Sequence, residues 1–275
     1  MKKVSKLVLI TAPLLQFLLP IYLKSQTVSL EMNAGIVLGN EDSESPAPGT
    51  IRWNGSDFEG WNGAIWVSLT GNQSSSTVTD IDGNQYKTLR YGHTEWMIEN
   101  LRVTRYNDST TISHAATNAQ WILGSGGKWC WYDNEDTFDN SFGKLYNWEA
   151  VNSEKLCPIG WDEPFDADYT QLIQSIGGNE TVVGTKLKST GTEYWEELFI
   201  QGTNASGFSG HGGGYREVDG TFVDIRKRGE WWTANSTSTT TATAFRLSDV
   251  TSDYSLVTGT PINRGLSVRC VRYID

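Results

Sequence analysis

Cysteine, histidine and methionine each occur only three times in this 275-residue chain, and proline seven times. His93, His114 and His211 show no ligand spacing, so a histidine metal centre is not indicated. Cys130, Cys157 and Cys270 allow one disulfide and leave one thiol over, or pack as three buried thiols. Basic residues are scarce too: 22 Lys and Arg stand against 32 Asp and Glu, a formal net charge of -10. Nucleic acid and anionic membrane surfaces are therefore poor partners. Catalytic patterns are missing: there is no Ser-His-Asp order with motif context, no nucleophile elbow and no clear acid pair. The glycine-rich run 207–214 lacks the strand, loop and helix context of a phosphate cradle. No enzyme activity and no cofactor are expected.

The N-terminus holds a long apolar run, residues 8–23, broken by Pro13 and Pro20, preceded by Lys2 and Lys3 and followed by Ser25-Gln26. This is the pattern of a signal peptide over residues 1–26. It predicts a secreted, extracellular or outer cell-surface protein, with the periplasm as the alternative, and no membrane insertion after cleavage. An uncleaved anchor is the other reading, because the run sits near the lower limit for spanning a bilayer.

Aromatic residues are plentiful: 12 Trp, 11 Tyr and 9 Phe, within a hydrophobic content of 38%, enough for a packed core with aromatic surface to spare. Residues 27–77 differ in texture from the rest. A polar, proline-bearing stretch at 39–49 reads as a connector. Trp53-Asn54-Gly55 and Trp61-Asn62-Gly63 then recur eight residues apart, and each Asn-Gly pair suits a type I′ hairpin turn. Strands at 50–53, 57–60 and 64–69 would form a meander too small to bury Trp53, Trp61 and Trp66 by itself. Either the rest of the chain or other copies must cover them. The segment resembles short stalk modules of bacterial surface and phage-fibre proteins, which implies a homo-oligomer, a trimer, through residues 50–69. Residues 71–77 mark a flexible boundary.

From Val78 onward the chain reads as one domain. Asp82-Gly83 is the turn of a hairpin, and turn chemistry explains Asp80, Asp82 and Asn84 better than a calcium loop does. Glu95-Trp96-Met97-Ile98-Glu99-Asn100-Leu101 is a packed strand segment, with His93 structural beside it. Trp129-Cys130-Trp131-Tyr132 leads into an acidic run at 133–140, dense enough in oxygen for Ca²⁺, but acidic loops are ordinarily just solvated and no metal ligand is assigned. Leu145, Trp148, Glu149 and Val151 predict a helix over 142–152. Lys155-Leu156-Cys157-Pro158-Ile159-Gly160-Trp161 makes a turn, and Tyr169, Leu172, Ile173 and Ile176 predict a second helix over 166–176, stopped by Gly177-Gly178. Gly212-Gly213-Gly214-Tyr215-Arg216, Gly229-Glu230-Trp231-Trp232 and Gly265-Leu266-Ser267-Val268-Arg269-Cys270-Val271-Arg272 read as framework strands, and the Ser/Thr-crowded middle as display.

In their order, these motifs resemble the Fibrobacter succinogenes major paralogous domain, a secreted bacterial module placed near C-type-lectin-like and formylglycine-generating-enzyme folds. The resemblance covers residues 78–275. It implies an α+β, C-type-lectin-like head with two helices and short antiparallel sheets, preceded here by the small β-meander and the signal peptide. It also implies a long-range disulfide between Cys157 and Cys270, leaving Cys130 free. Where the family has His-x-Pro and a helix Trp, this chain has Asp162-Glu163-Pro164 and Tyr169. The cysteine-based copper site of the formylglycine relatives has no paired cysteines here. The exposed face of such domains corresponds to residues 233–264, which makes Asn235, Arg246, Asp249, Asp253, Tyr254 and Asn263 the ligand-binding candidates, for a protein or a glycan. The calcium-dependent sugar motif Glu-Pro-Asn is absent. The resemblance thus points to a non-catalytic binding or adhesion module, with a structural surface-assembly component, and further behind an enzyme relative, as the alternatives.

Overall fold

The computed structural model describes residues 46–47, 49–53, 58–61, 66–69, 76–177, 182–196 and 200–274. The expected signal peptide and the Asn-Gly turn centres lie outside the described residues. Strands β1 (Ile51–Trp53), β2 (Phe58–Trp61) and β3 (Trp66–Ser68) form the expected antiparallel meander.

The hairpin of β4 (Ser76–Thr79) and β5 (Gln85–Tyr91) turns where Asp82-Gly83 predicts, with Gly83 at φ +87°. Asp80 organises that turn: its carboxylate accepts from the Asp82 and Asn84 amides, the Asn84 side chain and the Tyr86 hydroxyl. The oxygen that a calcium reading would use is spent on the turn. Strand β6 (Thr94–Met97) follows, fully buried, and the last strand, β15 (Val271–Tyr273), pairs with it to complete a four-stranded sheet in the order β15-β6-β5-β4. The ends of residues 76–273 thus meet in one sheet.

Between them, β7 (Ser113–His114), α1 (Asn118–Leu123), β8 (Lys128–Cys130), α2 (Asp139–Phe142), β9 (Leu145–Tyr146) and α3 (Trp148–Val151) build a small sheet, β7-β8-β9, with short helices around it. The single helix expected over 142–152 is two one-turn helices on either side of a strand. Gly143, at φ +72°, ends the first, in a place where a Cβ would come within 2.8 Å of Asn100. Leu145–Tyr146 then pairs with β8, and the Asn147 side chain caps the second helix. The other expected helix stands as α4 (Asp166–Ser175), burying Tyr169, Leu172 and Ile173, and α5 (Val183–Leu187) follows. The described residues therefore hold five short α-helices rather than two, among several mostly antiparallel sheets.

The largest sheet has the order β11-β10-β12-β13-β14, from β10 (Gly213–Arg216), β11 (Phe222–Ile225), β12 (Arg228–Ser236), β13 (Thr241–Ser248) and β14 (Tyr254–Pro261). Here the display reading of 233–264 is narrowed: residues 237–240 form an exposed turn, but they sit between strands. Most of that span is strand, and Thr233, Ala242, Ala244, Phe245 and Leu247 are completely buried. Threonine suits a strand as well as it suits a loop, and alternation of small or polar with large apolar residues along β13 is a two-faced strand pattern. Cys157 and Cys270 form the expected disulfide, with their Cα atoms 5.8 Å apart across 113 residues, and Cys130 is free and buried.

The family departures are absorbed by packing. Tyr169 stacks on Phe245 at 4.3 Å. The Glu163 carboxylate accepts from the amides of Leu156 and Cys157, fixing the disulfide-bearing turn, and burial raises its pKa.

Candidate functional site

Side chains alternate across a strand, and directly paired residues share a face. In the large sheet the pairs Trp231 with Phe245 and Leu247 with Tyr254 set one face, which packs against Tyr169, Leu172, Val183 and Phe208 as one core cluster. The pairs Arg228 with Ser248, Glu230 with Arg246 and Arg246 with Ser255 set the other. Toward one end that second face is closed by Trp232, Ala242 and Ala244 under Leu266 and Val268. Toward the other end it is polar and open.

Glu230, 0% exposed, is the floor of this open part. One carboxylate oxygen accepts from Arg246 Nε at 2.7 Å and lies 3.6 Å from Arg228, while the other, Oε2, is buried with no hydrogen-bond partner among the described residues. Arg228 also reaches Asp224 at 3.3 Å and the Tyr215 hydroxyl at 3.3 Å. Arg264 donates twice to Glu217, at 2.9 and 2.6 Å, and both Arg228 and Arg264 lie over the Tyr215 ring. Arg228, Arg246 and Arg264 remain 30%, 26% and 21% exposed. The two terminal nitrogens of Arg246 make no hydrogen bond among the described residues. Its ε edge is held from below, and its η edge is open.

Beside this face is a cleft of about 290 Å³, lined by Glu196, Asp224, Lys227, Arg228, Ser248 and Asp249 with Val250 at its edge. Lys227 faces Glu196 at 3.7 Å. Arg228 and Ser248 belong both to the cleft and to the polar face, so the two are continuous. The arrangement offers guanidinium donors and carboxylate acceptors at fixed positions, the equipment of polar recognition. No group of three His, Cys, Asp or Glu among the described residues is placed to hold a metal ion.

Of the six expected ligand residues, Arg246 and Asp249 come to this region. Tyr254 does not, because it shares the opposite face and packs on Phe245, 5.6 Å between ring centres. Asn235 accepts from the Asp166 amide at the start of α4, a capping role. Asp253 is exposed and accepts from the Tyr254 amide, and Asn263 is exposed with its carbonyl taken by the Trp121 indole. Sequence reasoning missed Tyr215, Arg228, Glu230 and Arg264. The signal available was Arg228-x-Glu230 running directly into Trp231-Trp232, since residues two apart share a face and a carboxylate inside a core strand needs a cation.

The fold and this face define a disulfide-closed, β-rich α+β domain with a pre-arranged polar surface. The chain belongs to the Fibrobacter succinogenes major domain family, whose profile matches residues 89–272. The hairpin β4-β5 extends the same sheet before residue 89. Neither the curated proteins nor the solved structures contain a match to this chain.

Proposed function

We propose that this chain is a secreted or cell-surface binding module, non-catalytic, whose C-type-lectin-like head presents the polar face of its large sheet to a protein or glycan ligand. The observation that carries the reading is Arg246, fixed on buried Glu230 with its η edge open beside the cleft. Holding a rotamer-rich side chain in place before binding removes an ordering cost that binding would otherwise meet. The lectin-like reading is supported by the long-range bond from Cys157 to Cys270 and by family membership. Export rests on the N-terminal sequence pattern, and among the described residues no helix is long and apolar enough to cross a membrane.

The test is a glycan and surface-protein array probed with the intact mature chain. Saturable signal lost in Arg246→Ala and kept in Tyr254→Ser places the ligand on the polar face. Signal that survives Arg246→Ala and Arg228→Ala together removes this face from the reading.

A second reading has its own observation. The pairs Ile51 with Gly60 and Trp53 with Phe58 put Ile51, Trp53 and Phe58 on one side of the meander, with Leu69 packed on Gly60. Ile51, Phe58 and Leu69 are 49%, 38% and 54% exposed. An apolar side on a three-stranded ribbon favours assembly through residues 50–69. Light scattering at micromolar concentration decides: a trimer supports it and a monomer removes it.

A further inference from the structure

We infer that the open arginine edge takes the carboxylate of an acidic sugar residue, with Glu230 acting as the positioning residue for Arg246. This rests on the binding-face reading and goes beyond it by naming the ligand chemistry. A guanidinium presents parallel N–H donors that match a carboxylate. Arg246 has its Nε engaged at 2.7 Å by Glu230 and its terminal nitrogens unbonded among the described residues, so the donor edge that remains is the one a carboxylate fits.

The surroundings narrow the class. Carboxylates ring the arginines: Glu217 on Arg264, Asp224 on Arg228, Glu196 near Lys227, and Asp249 beside Ser248. Together with a chain charge of -10, they confine positive potential to a spot about one carboxylate wide, which disfavours an extended run of negative charge. Asp224, Glu196 and Asp249 each keep a carboxylate oxygen without a donor among the described residues, and these accept from hydroxyl groups. A ligand with one carboxylate set among several hydroxyls satisfies both demands. An acidic side chain of a protein brings the carboxylate on an apolar stem. The cleft, at about 290 Å³, lies at the small end of ligand sites and takes a single ring-sized unit.

Calorimetric titration of the intact mature chain with the methyl glycosides of D-glucuronate and D-galacturonate tests this, against methyl glucoside, methyl galactoside and N-acetylglutamate amide. Uronates should bind at least about tenfold more tightly than their neutral counterparts, the scale of a charge-assisted hydrogen bond. Arg246→Ala should erase that preference. Glu230→Gln, which keeps the shape, should reduce it severalfold while near-ultraviolet circular dichroism stays native. Should Glu230→Gln fail to fold, Arg246, 26% exposed, still carries the test. Equal binding of acidic and neutral glycosides, stronger binding of N-acetylglutamate amide, or no saturable uronate binding at millimolar concentration each overturns the inference. An array ligand that needs Arg246 but has no carboxylate overturns it while leaving the binding face standing; one indifferent to Arg246 and Arg228 removes both.

Discussion

The two faces of the large sheet carry side chains from the same strands, one residue out of step, and serve opposite ends. On one, Trp231, Phe245 and Leu247 are fully buried against α4 and α5. On the other, Arg228, Glu230 and Arg246 replace hydrocarbon with a charge network that is only partly covered. The buried carboxylate explains the contrast. A core face gains free energy in proportion to the apolar area it hides, whereas Glu230 loses solvation and recovers it only in part through Arg246, leaving Oε2 with no hydrogen-bond partner among the described residues. Such a group contributes little to stability, and its effect is to fix the direction of a donor.

Mutations and conditions can sharpen that comparison. The largest effect should come from the disulfide, which packs with Trp232 under the closed end of the second face: Cys157→Ala with Cys270→Ala should cost about 4 to 5 kcal/mol by loop-closure reasoning, read from urea unfolding. Trp231→Ala, on the apolar face, should cost about 3 to 5 kcal/mol through cavity formation. Comparable stability of wild type and this variant would mean that the apolar face is not what holds the sheet.

Acid should weaken the fold through His211. Its Nδ1 donates to the Ser141 carbonyl at 2.7 Å and its ring stacks on Tyr194 at 3.6 Å. Burial, aided by Arg269, lowers its pKa to about 4, against 6.5 unfolded. The unfolded chain binds the extra proton first, so the stability that depends on neutral His211 is complete above pH 6.5 and is lost progressively down to pH 4. The difference between wild type and His211→Phe across that window should approach about 3 kcal/mol. A difference that does not change with pH would show that His211 is not buried neutral. The polar face ranks beside His211 in stability: Arg246→Ala leaves the Glu230 carboxylate buried without its close partner, which should cost about 3 kcal/mol, while abolishing ligand capture.

The readable parts of the sequence were those with a local cause. Asp82-Gly83 marks its hairpin because the turn needs positive φ, and Tyr169, Leu172 and Ile173 mark α4 because their spacing gives one buried face. The disulfide followed from family likeness rather than from spacing. What local reasoning misplaced depended on partners far along the chain. Leu145 and Tyr146 fit a helix until β8 claims them, and the Ser/Thr-rich span resembles a loop until β12 and β14 pair on its two sides. For the candidate site, Arg246 and Asp249 were legible as polar groups in the right span. Glu230 was not, because a single carboxylate among tryptophans reveals its role only when register sets Arg246 opposite.

The closing segment of the described chain also has a consequence for biosynthesis. Ser267 bonds across to Glu230 and Trp232, Val268 accepts from Leu101, Cys270 accepts from Met97, and β15 edges the first sheet. The wedge holding both sheets together is therefore synthesised after nearly everything it joins. Until residues 266–273 emerge from the ribosome, the tryptophans they cover have no native shelter, so the earlier part of the head must wait for that segment and rely meanwhile on being kept from aggregating.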